Sequence, residues 1–435
     1  MSFLELSLKL KGFPLSKAEK EIQYLNSISE TDFSKWQTDK KWEIVKYHLK
    51  NNEFYRNKLE NKLPAKWEEI PILKKSDFQI SIDKLTSDTF NSKDLYTGYT
   101  SGSSGHPFRY AKDKYSHAMT WALIKNRYNS FGINLNSKQA RFYGIPLEKK
   151  EYYVEKTKDL LSNRVRFPVF DLSDEVLKSY IEIFRKTEFD YIYGYSNSIL
   201  LFARYLNRNK INLKLICPSL KVCICTSENC STDDKVEISK AFGIPVVNEY
   251  GTSEVDLIAF EDIEGNWKLS EENVFVEILD ESGKQLTEGG EGRIVLTSLH
   301  NKAMPFIRYE IGDRAVIEPG KDRVRIMNLL GGINDDLVLP SGKISSSITF
   351  YFVTRSILNK IDSLKEFVIK QTEPDKFVFE MVSDEDISER DREQIRKKMD
   401  EYLEPGLIAE FKRVDKIQRT NAGKMKQFYS FVNQD

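Results

Sequence analysis

The segment YTSGSSGHP at residues 99–107 places two glycines among four small hydroxyl side chains. Glycine lets the backbone bend tightly, so that exposed N–H groups and neighbouring hydroxyls can surround an anion. No Gly-Lys-Ser/Thr follows at the spacing of a Walker loop, and no third glycine completes a dinucleotide fingerprint. The pattern predicts a phosphate-holding loop without a fixed charge, with a flexible Ser/Gly loop as the alternative. The predicted contacts come from Thr100, Ser101, Gly102, Ser103, Ser104 and Gly105.

Length and charge limit the class of protein. A chain of 435 residues is too long for one typical hydrophobic core, which predicts two domains. The 66 basic residues equal the 66 acidic ones, and this balance argues against nucleic-acid binding. The sequence contains no run of about 18 apolar residues, so no membrane span is predicted. Glu5, Lys9 and Lys11 interrupt the apolar segment that a signal peptide would need. We therefore expect a cytoplasmic protein.

Hydrophobic periodicity divides the chain into regions of different secondary structure. Residues 16–60 have helical spacing, and between residues 190 and 260 short apolar runs alternate with helical stretches, as in a parallel sheet. Residues 266–316 have the pattern of short strands joined by glycine turns. After Gly331-Gly332 the pattern indicates a small α+β unit. The predicted fold class is α/β, with a β-rich subdomain and a small C-terminal α+β domain.

The four cysteines lie within fourteen residues, at Cys217, Cys223, Cys225 and Cys230. A zinc site is one interpretation, but the spacing contains no C-x-x-C pair and no histidine lies nearby in the sequence. Cys223 and Cys225 alternate with apolar residues in LKVCIC, which is typical of a buried strand. Reduced cysteine behaves there as a small apolar side chain. We expect structural, reduced cysteines.

Three further segments follow the first in the chain: YGTSE at residues 250–254, IRYEIGDR at 307–314 and TNAGK at 420–424. Together, in this order and spacing, the four segments resemble the superfamily of adenylate-forming enzymes, which includes acyl-CoA synthetases, peptide-synthetase adenylation domains and luciferases. The resemblance covers nearly the whole chain. It implies a core over residues 1–331 with the ATP and carboxylate sites, and a mobile C-terminal lid over residues 332–435.

Within this superfamily the chain is most similar to the phenylacetate–CoA ligase family. The stretches WEEIPILKK at residues 67–75 and NKAMP at 301–305 resemble that family too. Residues 163–173, followed by YGYS at 193–196, resemble its capsular-polysaccharide-biosynthesis branch.

The resemblance implies a role for each motif residue. Tyr250 is expected to stack on adenine, and Asp313 to accept hydrogen bonds from the ribose hydroxyls. Glu254 corresponds to a magnesium ligand, since a hard carboxylate beside phosphates suits this ion. The remaining residues implied at the nucleotide are Ser253, which would reach the α-phosphate, with Glu228, Glu249, Gly251 and Thr252.

Two positions depart from the family pattern. His106 stands where the family usually has Lys or Thr, and Gly331-Gly332 where it normally has a Gly-Arg pair before the hinge. Loss of that arginine removes a charged donor to the nucleotide, and Arg314 is a possible substitute. The hinge is expected near residues 334–336.

Lys424 corresponds to the catalytic lysine of the superfamily, acting together with Glu254 and Ser253. Its ammonium would bridge the attacking carboxylate and the α-phosphate, cancelling the repulsion between two anions. By the same resemblance, the acid-binding pocket is formed by Tyr193, Gly194, Tyr195, Ser227 and Asn248.

The resemblance implies ATP-dependent activation of a carboxylic acid as an acyl-adenylate, with pyrophosphate released. A rotation of the lid would then admit a thiol, most simply coenzyme A, so that ATP, Mg²⁺ and coenzyme A are the expected cofactors. One alternative passes the acyl group to an amine or amino sugar in polysaccharide biosynthesis. Another is a nucleotide-binding protein that has lost catalysis. The identity of the acid is not readable from the sequence.

Overall fold

The computed structural model describes residues 2–99, 108–144, 149–169, 172–228, 230–319, 325–332, 336–342, 344–346, 364–418 and 428–432. These form two compact units, Met1–Leu329 and Leu330–Asp435. The α-helices are α1 (Phe3–Leu10), α2 (Leu15–Leu25), α3 (Glu30–Asn51), α4 (Glu53–Lys58), α5 (Ile82–Leu85), α6 (Lys114–Asn129), α7 (Lys149–Leu161), α8 (Asp174–Lys186), α9 (Ser196–Arg208), α10 (Leu213–Ile216), α11 (Thr232–Phe242) and α12 (Glu389–Tyr402). None of the helices in these ranges is long and apolar enough to cross a membrane.

Most of the strands belong to three sheets, which have seven, five and four strands. In chain order the strands are β1 (Leu73–Lys74), β2 (Leu95–Tyr99), β3 (Arg109–Asp113), β4 (Gln139–Phe142), β5 (Arg164–Phe167), β6 (Tyr191–Tyr195), β7 (Val222–Thr226), β8 (Val246–Thr252), β9 (Asp256–Glu261), β10 (Trp267–Leu269), β11 (Val274–Leu279), β12 (Gly290–Ser298), β13 (Tyr309–Glu318), β14 (Arg325–Gly332), β15 (Asp336–Val338), β16 (Ile344–Ser346), β17 (Leu364–Glu373), β18 (Lys376–Ser383), β19 (Ile408–Arg413) and β20 (Phe428–Ser430).

The seven-stranded sheet has the order β10-β9-β8-β7-β6-β4-β5, and its strands from β5 to β8 run parallel. Its apolar faces are covered by helices, as the alternation of strands and helices predicts. Ile224 and Val247 pack with α2 and α6 on one face, and Cys223, Cys225 and Ile192 pack with α8, α9 and α11 on the other. The predicted α/β fold and its parallel sheet are confirmed.

The five-stranded sheet builds the predicted β-rich subdomain. Its strands run in the order β1-β13-β12-β11, and β14 pairs with β13. The glycine turn before Arg293 leads directly into β12, as its sequence predicts. A separate antiparallel pair, β2 and β3, joins Tyr99 to Arg109 at the two sides of the predicted phosphate-holding segment. That segment, residues 100–107, lies outside the described residues.

The second unit contains a four-stranded sheet in the order β19-β18-β17-β20, with α12 beside it. Phe367, Phe379 and Ile395 form part of its buried core, and Val368, which lies between Phe367 and Ile369, is buried in a separate small cluster. The strands β17 and β18 meet at the turn Glu373-Pro374-Asp375, and the unit has the strands and helix of the predicted α+β unit. The short strand β20 pairs in parallel with β17.

The four cysteines are free and buried. Cys223 and Cys225 lie in β7, all five residues of which are buried, so the predicted strand is confirmed. Cys217 accepts a hydrogen bond from the backbone N–H of Phe189 through its sulfur at 3.4 Å. In the described ranges no group of three His, Cys, Asp or Glu side chains is placed to hold a metal ion.

Two buried histidines predict how stability depends on pH. His48 donates from Nε2 to the Asn301 carbonyl at 2.9 Å, and His300 donates from Nε2 to the Glu272 carbonyl at 2.9 Å. Burial lowers the pKa of each to about 4, from an ordinary value of 6.5. The unfolded chain therefore takes up protons below pH 6.5 that the folded protein refuses until about pH 4.

The free energy of unfolding should fall as the pH decreases through this window, by about 3 kcal/mol for each histidine. Urea unfolding followed by tryptophan fluorescence measures it, since all five tryptophans lie in the first unit. His300→Gln keeps an N–H donor but does not titrate, so its stability should depend less steeply on pH. Equal pH dependence in the wild type and in this variant would contradict the prediction.

Candidate active site

The predicted site residues gather where β6, β7 and β8 end. Parallel strands bring their carboxyl ends to one edge of a sheet, where ligands of open α/β sheets bind. Tyr195 is paired with Thr226, and Thr226 with Glu249, in neighbouring strands of this edge. The structure therefore brings three predicted segments together, namely residues 193–195, 227–228 and 248–254.

Tyr250 links this edge to the second sheet. Its hydroxyl donates to Asp313 Oδ2 at 2.5 Å, although the two residues are 63 positions apart in the chain. Burial, and the carboxylate that its hydroxyl faces, raise the pKa of Tyr250 well above its ordinary value, so the hydroxyl remains a donor. The YGTSE and IGDR motifs thus meet through a direct hydrogen bond.

Glu254 is fixed by a second tyrosine of the same sheet. The hydroxyl of Tyr309, which is fully buried, donates to Glu254 Oε1 at 3.0 Å. Glu254 is itself only 7% exposed. A carboxylate held in this way offers hard oxygen ligands of the kind that Mg²⁺ prefers.

A buried lysine holds the backbone between these motifs. Lys112 of β3 donates from Nζ to the Ser253 carbonyl at 2.8 Å and forms a short ion pair with Asp256. Thr120 of α6 donates to the other oxygen of Asp256 at 2.6 Å. Sequence analysis missed Lys112 and Asp256; a lysine inside an otherwise buried strand was the signal.

Gly251 is required by the close approach of the chain at this point. A Cβ at Gly251 would lie 2.3 Å from the carbonyl oxygen of Asp256, in the bulge between β8 and β9. Asp256 itself has a positive φ of 73°, a backbone conformation that residues other than glycine adopt only at a cost in conformational energy. The turn from Gly251 to Asp256 is therefore set by glycine at one end and by Lys112 at the other.

Glu249 receives two tyrosine hydroxyls. Tyr193 donates to its Oε1 at 2.7 Å and Tyr128 to its Oε2 at 3.2 Å. Burial raises the pKa of Glu249 above its ordinary value. The two tyrosine hydrogen bonds and the positive charge of Arg141 oppose this rise. Glu249 is predicted to contact the nucleotide and Tyr193 to line the acid-binding pocket. The structure joins these two residues by a hydrogen bond. Tyr128 was missed.

Aromatic rings line the sheet beside Glu249. Tyr143 stacks on Tyr193 with ring centroids 5.8 Å apart and lies 4.2 Å from the ring of Tyr195. Gly194 lies between Tyr193 and Tyr195 in the chain. A Cβ at this position would lie 2.4 Å from the carbonyl oxygen of Phe142. Sequence analysis missed Tyr143, whose Tyr-Gly pair repeats the Tyr-Gly of residues 193–194.

Other predicted residues make local hydrogen bonds. Glu228 accepts from the backbone N–H of Asn197 at 2.9 Å, at the start of α9. Asn248 donates its side-chain amide to the Cys230 carbonyl at 3.0 Å. Thr252 Oγ1 accepts from the backbone N–H of Val255 at 3.2 Å. Ser227 has a positive φ of 69°.

Arg314 follows Asp313 in β13. Its side chain donates to Glu291 at 2.5 Å and to Glu281 at 2.8 Å. It is therefore engaged by two carboxylates near the surface. Residues Thr100–Gly105, His106 and the proposed catalytic Lys424 lie outside the described parts of the chain.

Comparisons of the sequence with known proteins find related chains. No family model matches. The chain is 25% identical over 407 residues to Protein CapK of Staphylococcus aureus, covering 86% of this chain and 87% of that protein. It is 35% identical over 133 residues to phenylacetate-coenzyme A ligase of Aromatoleum evansii, covering 28% of this chain and 30% of that protein.

Solved structures share the fold. The crystal structure of 2-hydroxyisobutyryl-CoA ligase in the postadenylation state with R3-HIB-AMP has a TM-score of 0.69 at 16% identity, over 94% of this chain and 91% of that one. The same ligase with 2-HIB-AMP and CoA in the thioesterification state has a TM-score of 0.57 at 15% identity, over 94% and 91%. Amide bond synthetase McbA from Marinactinospora thermotolerans has a TM-score of 0.54 at 15% identity, over 77% and 67%.

The motifs, the α/β architecture and these similarities agree with one another. The chain is an enzyme of the ligase kind. The similarity to Protein CapK and to phenylacetate-coenzyme A ligases, together with the fold shared with CoA ligases, supports the resemblance to the adenylate-forming superfamily, to its phenylacetate–CoA ligase family and to the capsule-biosynthesis-like branch.

Proposed function

We propose that this enzyme joins a carboxylic acid to the AMP part of ATP and then transfers the acyl group to a thiol, most simply coenzyme A. The observation that carries the proposal is the meeting of two tyrosine–carboxylate pairs, Tyr250 with Asp313 and Tyr309 with Glu254. The partners of these pairs are 63 and 55 positions apart in the chain. These pairs orient Asp313 and Glu254, the two carboxylates that we propose bind the ribose and the metal ion of ATP.

The nucleotide would lie across the ends of β8 and β13. Asp313 is proposed to accept from the ribose hydroxyls, and the ring of Tyr250 to stack on adenine. The backbone and hydroxyls of residues 100–105 are proposed to hold the phosphates. Glu254 fits a resident Mg²⁺ because it is a nearly buried carboxylate oriented by Tyr309. Bound there, the ion would neutralise phosphate charge.

In the first half-reaction a carboxylate oxygen of the acid attacks the α-phosphorus of ATP. The new bond is a mixed acyl–phosphate anhydride, and the bond from the α-phosphorus to the bridging oxygen breaks, so that pyrophosphate leaves with the electron pair. Lys424 is proposed to bridge the two anions in this step, and Ser253 to hold the α-phosphate. The arrangement of Lys112 around Ser253 supports the second role, since it fixes the backbone of that residue.

In the second half-reaction the thiol sulfur attacks the acyl carbon, the bond to AMP breaks, and the thiol proton leaves to solvent. Coenzyme A as acceptor is supported by the similarity to phenylacetate–CoA ligases and to a ligase crystallised with CoA. An amine or amino sugar is the second candidate. It is supported by the long similarity to Protein CapK and by the fold shared with an amide bond synthetase. A cytoplasmic location stays a prediction.

A screen for pyrophosphate release tests the function and separates the acceptors. Carboxylic acids are supplied with ATP and Mg²⁺, first alone and then with coenzyme A or an amino sugar. Acid-dependent pyrophosphate release is expected, and the true acceptor should accelerate turnover and appear in the product. Absence of release with every acid would contradict carboxylate activation.

Asp313→Ala should raise the Michaelis constant for ATP by about 10- to 100-fold, the value of lost hydrogen bonds to a charged group. Steady-state pyrophosphate release at varied ATP measures this. Glu318→Ala, at the exposed end of the same strand, is the matched control and should behave as the wild type. Unchanged ATP dependence in a folded Asp313→Ala protein would remove Asp313 from the nucleotide site.

Lys424→Ala should lower acyl-adenylate formation by at least ~10²–10³-fold, the value of one charge-stabilising donor. ATP binding should change little. Thiol or amine attack on a chemically supplied acyl-adenylate should also survive, since only the first half-reaction is assigned to this lysine. Both half-reactions are measured on the same protein, and Lys416→Ala, an exposed lysine of the same unit, serves as control. A parallel loss of both rates, or of neither, would contradict the assignment.

A further inference from the structure

Arg141 is a half-buried cation in the aromatic wall of the candidate site. Its guanidinium lies 4.0 Å from the ring centroid of Tyr143 and 5.2 Å from that of Tyr193. It donates from Nη1 to Gln139 Oε1 at 3.3 Å, a long hydrogen bond to a neutral group. Its Nε is buried and has no hydrogen-bond partner among the described residues.

Neighbouring arginines on the same sheet are paired differently. Arg166, which is aligned with Arg141 in the adjacent strand, forms ion pairs with Asp159 at 2.8 Å and Glu155 at 2.9 Å. Arg164 pairs with Asp159 at 2.6 Å. For Arg141 the described part of the chain supplies no ion pair. Removing a charge from water without a counter-ion is costly, and tyrosine faces compensate only part of the cost.

The position of Arg141 in the sheet is deep in the site. It is aligned with Tyr193 of the neighbouring strand. Tyr195 and Glu249 belong to the next row of aligned residues whose side chains lie on the same face, two positions further along the strands. These two positions correspond to roughly 7 Å along a strand. The segment proposed to meet ATP, residues 250–254, begins beyond that second row. An acid whose reacting carboxylate reaches the nucleotide would therefore direct its other end toward Arg141.

The nearest carboxylate in this wall is already engaged. Glu249 accepts the hydroxyls of Tyr193 and Tyr128, and burial raises its pKa, which disfavours its negative charge. The charges of Asp159 and Glu249 act on Arg141, but Asp159 is paired with Arg164 and Arg166, and Glu249 is hydrogen-bonded to the two tyrosines. A flat guanidinium that lies over ring faces is suited to bidentate binding of a carboxylate.

We propose that Arg141 binds a second anionic group of the substrate, at the end remote from the carboxylate that is activated. The acid is accordingly of the dicarboxylate class, or carries another anion in that place. This inference rests on the proposed function, because it assumes that the tyrosine-lined site takes the acid. Arg141 is a specificity-determining residue in this proposal, without a role in the chemical step.

Binding is measured first, because it does not depend on catalysis. Isothermal titration, with and without a non-hydrolysable ATP analogue, compares phenylacetate with 4-carboxyphenylacetate and hexanoate with adipate. In at least one pair the wild type should bind the acid with two carboxylates more tightly, on the order of 10²-fold. Arg141→Met should abolish this preference and leave the acid with one carboxylate within a few-fold of the wild type.

Two variants control the comparison. Arg141→Lys keeps the charge but loses the planar, stacked group, so it should retain part of the preference. Arg164→Met removes an arginine from the same face whose partner Asp159 is still paired with Arg166, and it should bind both acids as the wild type does. Circular dichroism and thermal melting establish that each variant is folded.

Pyrophosphate release with the same acids separates the two proposals. No preference for the second carboxylate in the wild type, or equal losses for both acids in Arg141→Met, would overturn the anion subsite even if release is seen. If the preference depends on Arg141 but no acid supports release, the subsite is supported and carboxylate activation fails.

Discussion

The buried ion pair between Lys112 and Asp256 is the contact on which the candidate site depends. It joins β3, the turn after Glu254 and, through Thr120, helix α6. Each of these elements is formed locally, but their relative position around Ser253 is set by one ammonium group. Removing one partner of a buried pair leaves the other unpaired, at a cost of about 3–5 kcal/mol. Such a pair acts less as a source of stability than as a constraint on the turn.

Tyrosine hydroxyls orient the carboxylates of the site by hydrogen bonds. Tyr250, Tyr309 and Tyr193 each donate to a carboxylate, namely that of Asp313, Glu254 and Glu249. Burial raises the pKa of each of these three tyrosines well above its ordinary value. Each hydroxyl therefore remains a donor at neutral pH. A neutral donor orients a carboxylate without cancelling its charge. The carboxylates of Asp313 and Glu254 are thereby held in place.

Much of this could be predicted from the sequence, for reasons that are local. The parallel sheet follows from short apolar runs alternating with helices, and Tyr250, Glu254 and Asp313 lie in short motifs whose order is readable. Tyr128 and Arg141 could not be found in this way. Their importance arises from contacts between elements far apart in the chain, such as the hydrogen bond from Tyr128 to Glu249. Periodicity predicts which face a residue occupies but not which neighbour it meets there.

Arg141 shows how such a neighbour changes the meaning of a residue. Arg141 and Arg166 are aligned in adjacent strands and have the same chemistry, but Arg166 is balanced by the carboxylates of α7 and Arg141 by aromatic rings. A cation balanced within the protein contributes to the scaffold, whereas one held on ring faces keeps its hydrogen-bonding capacity for a ligand. Because its position is fixed before binding, little ordering is needed when an anion arrives. The cost is borne by the free protein, which holds a partly desolvated charge, as binding sites generally trade stability for selectivity.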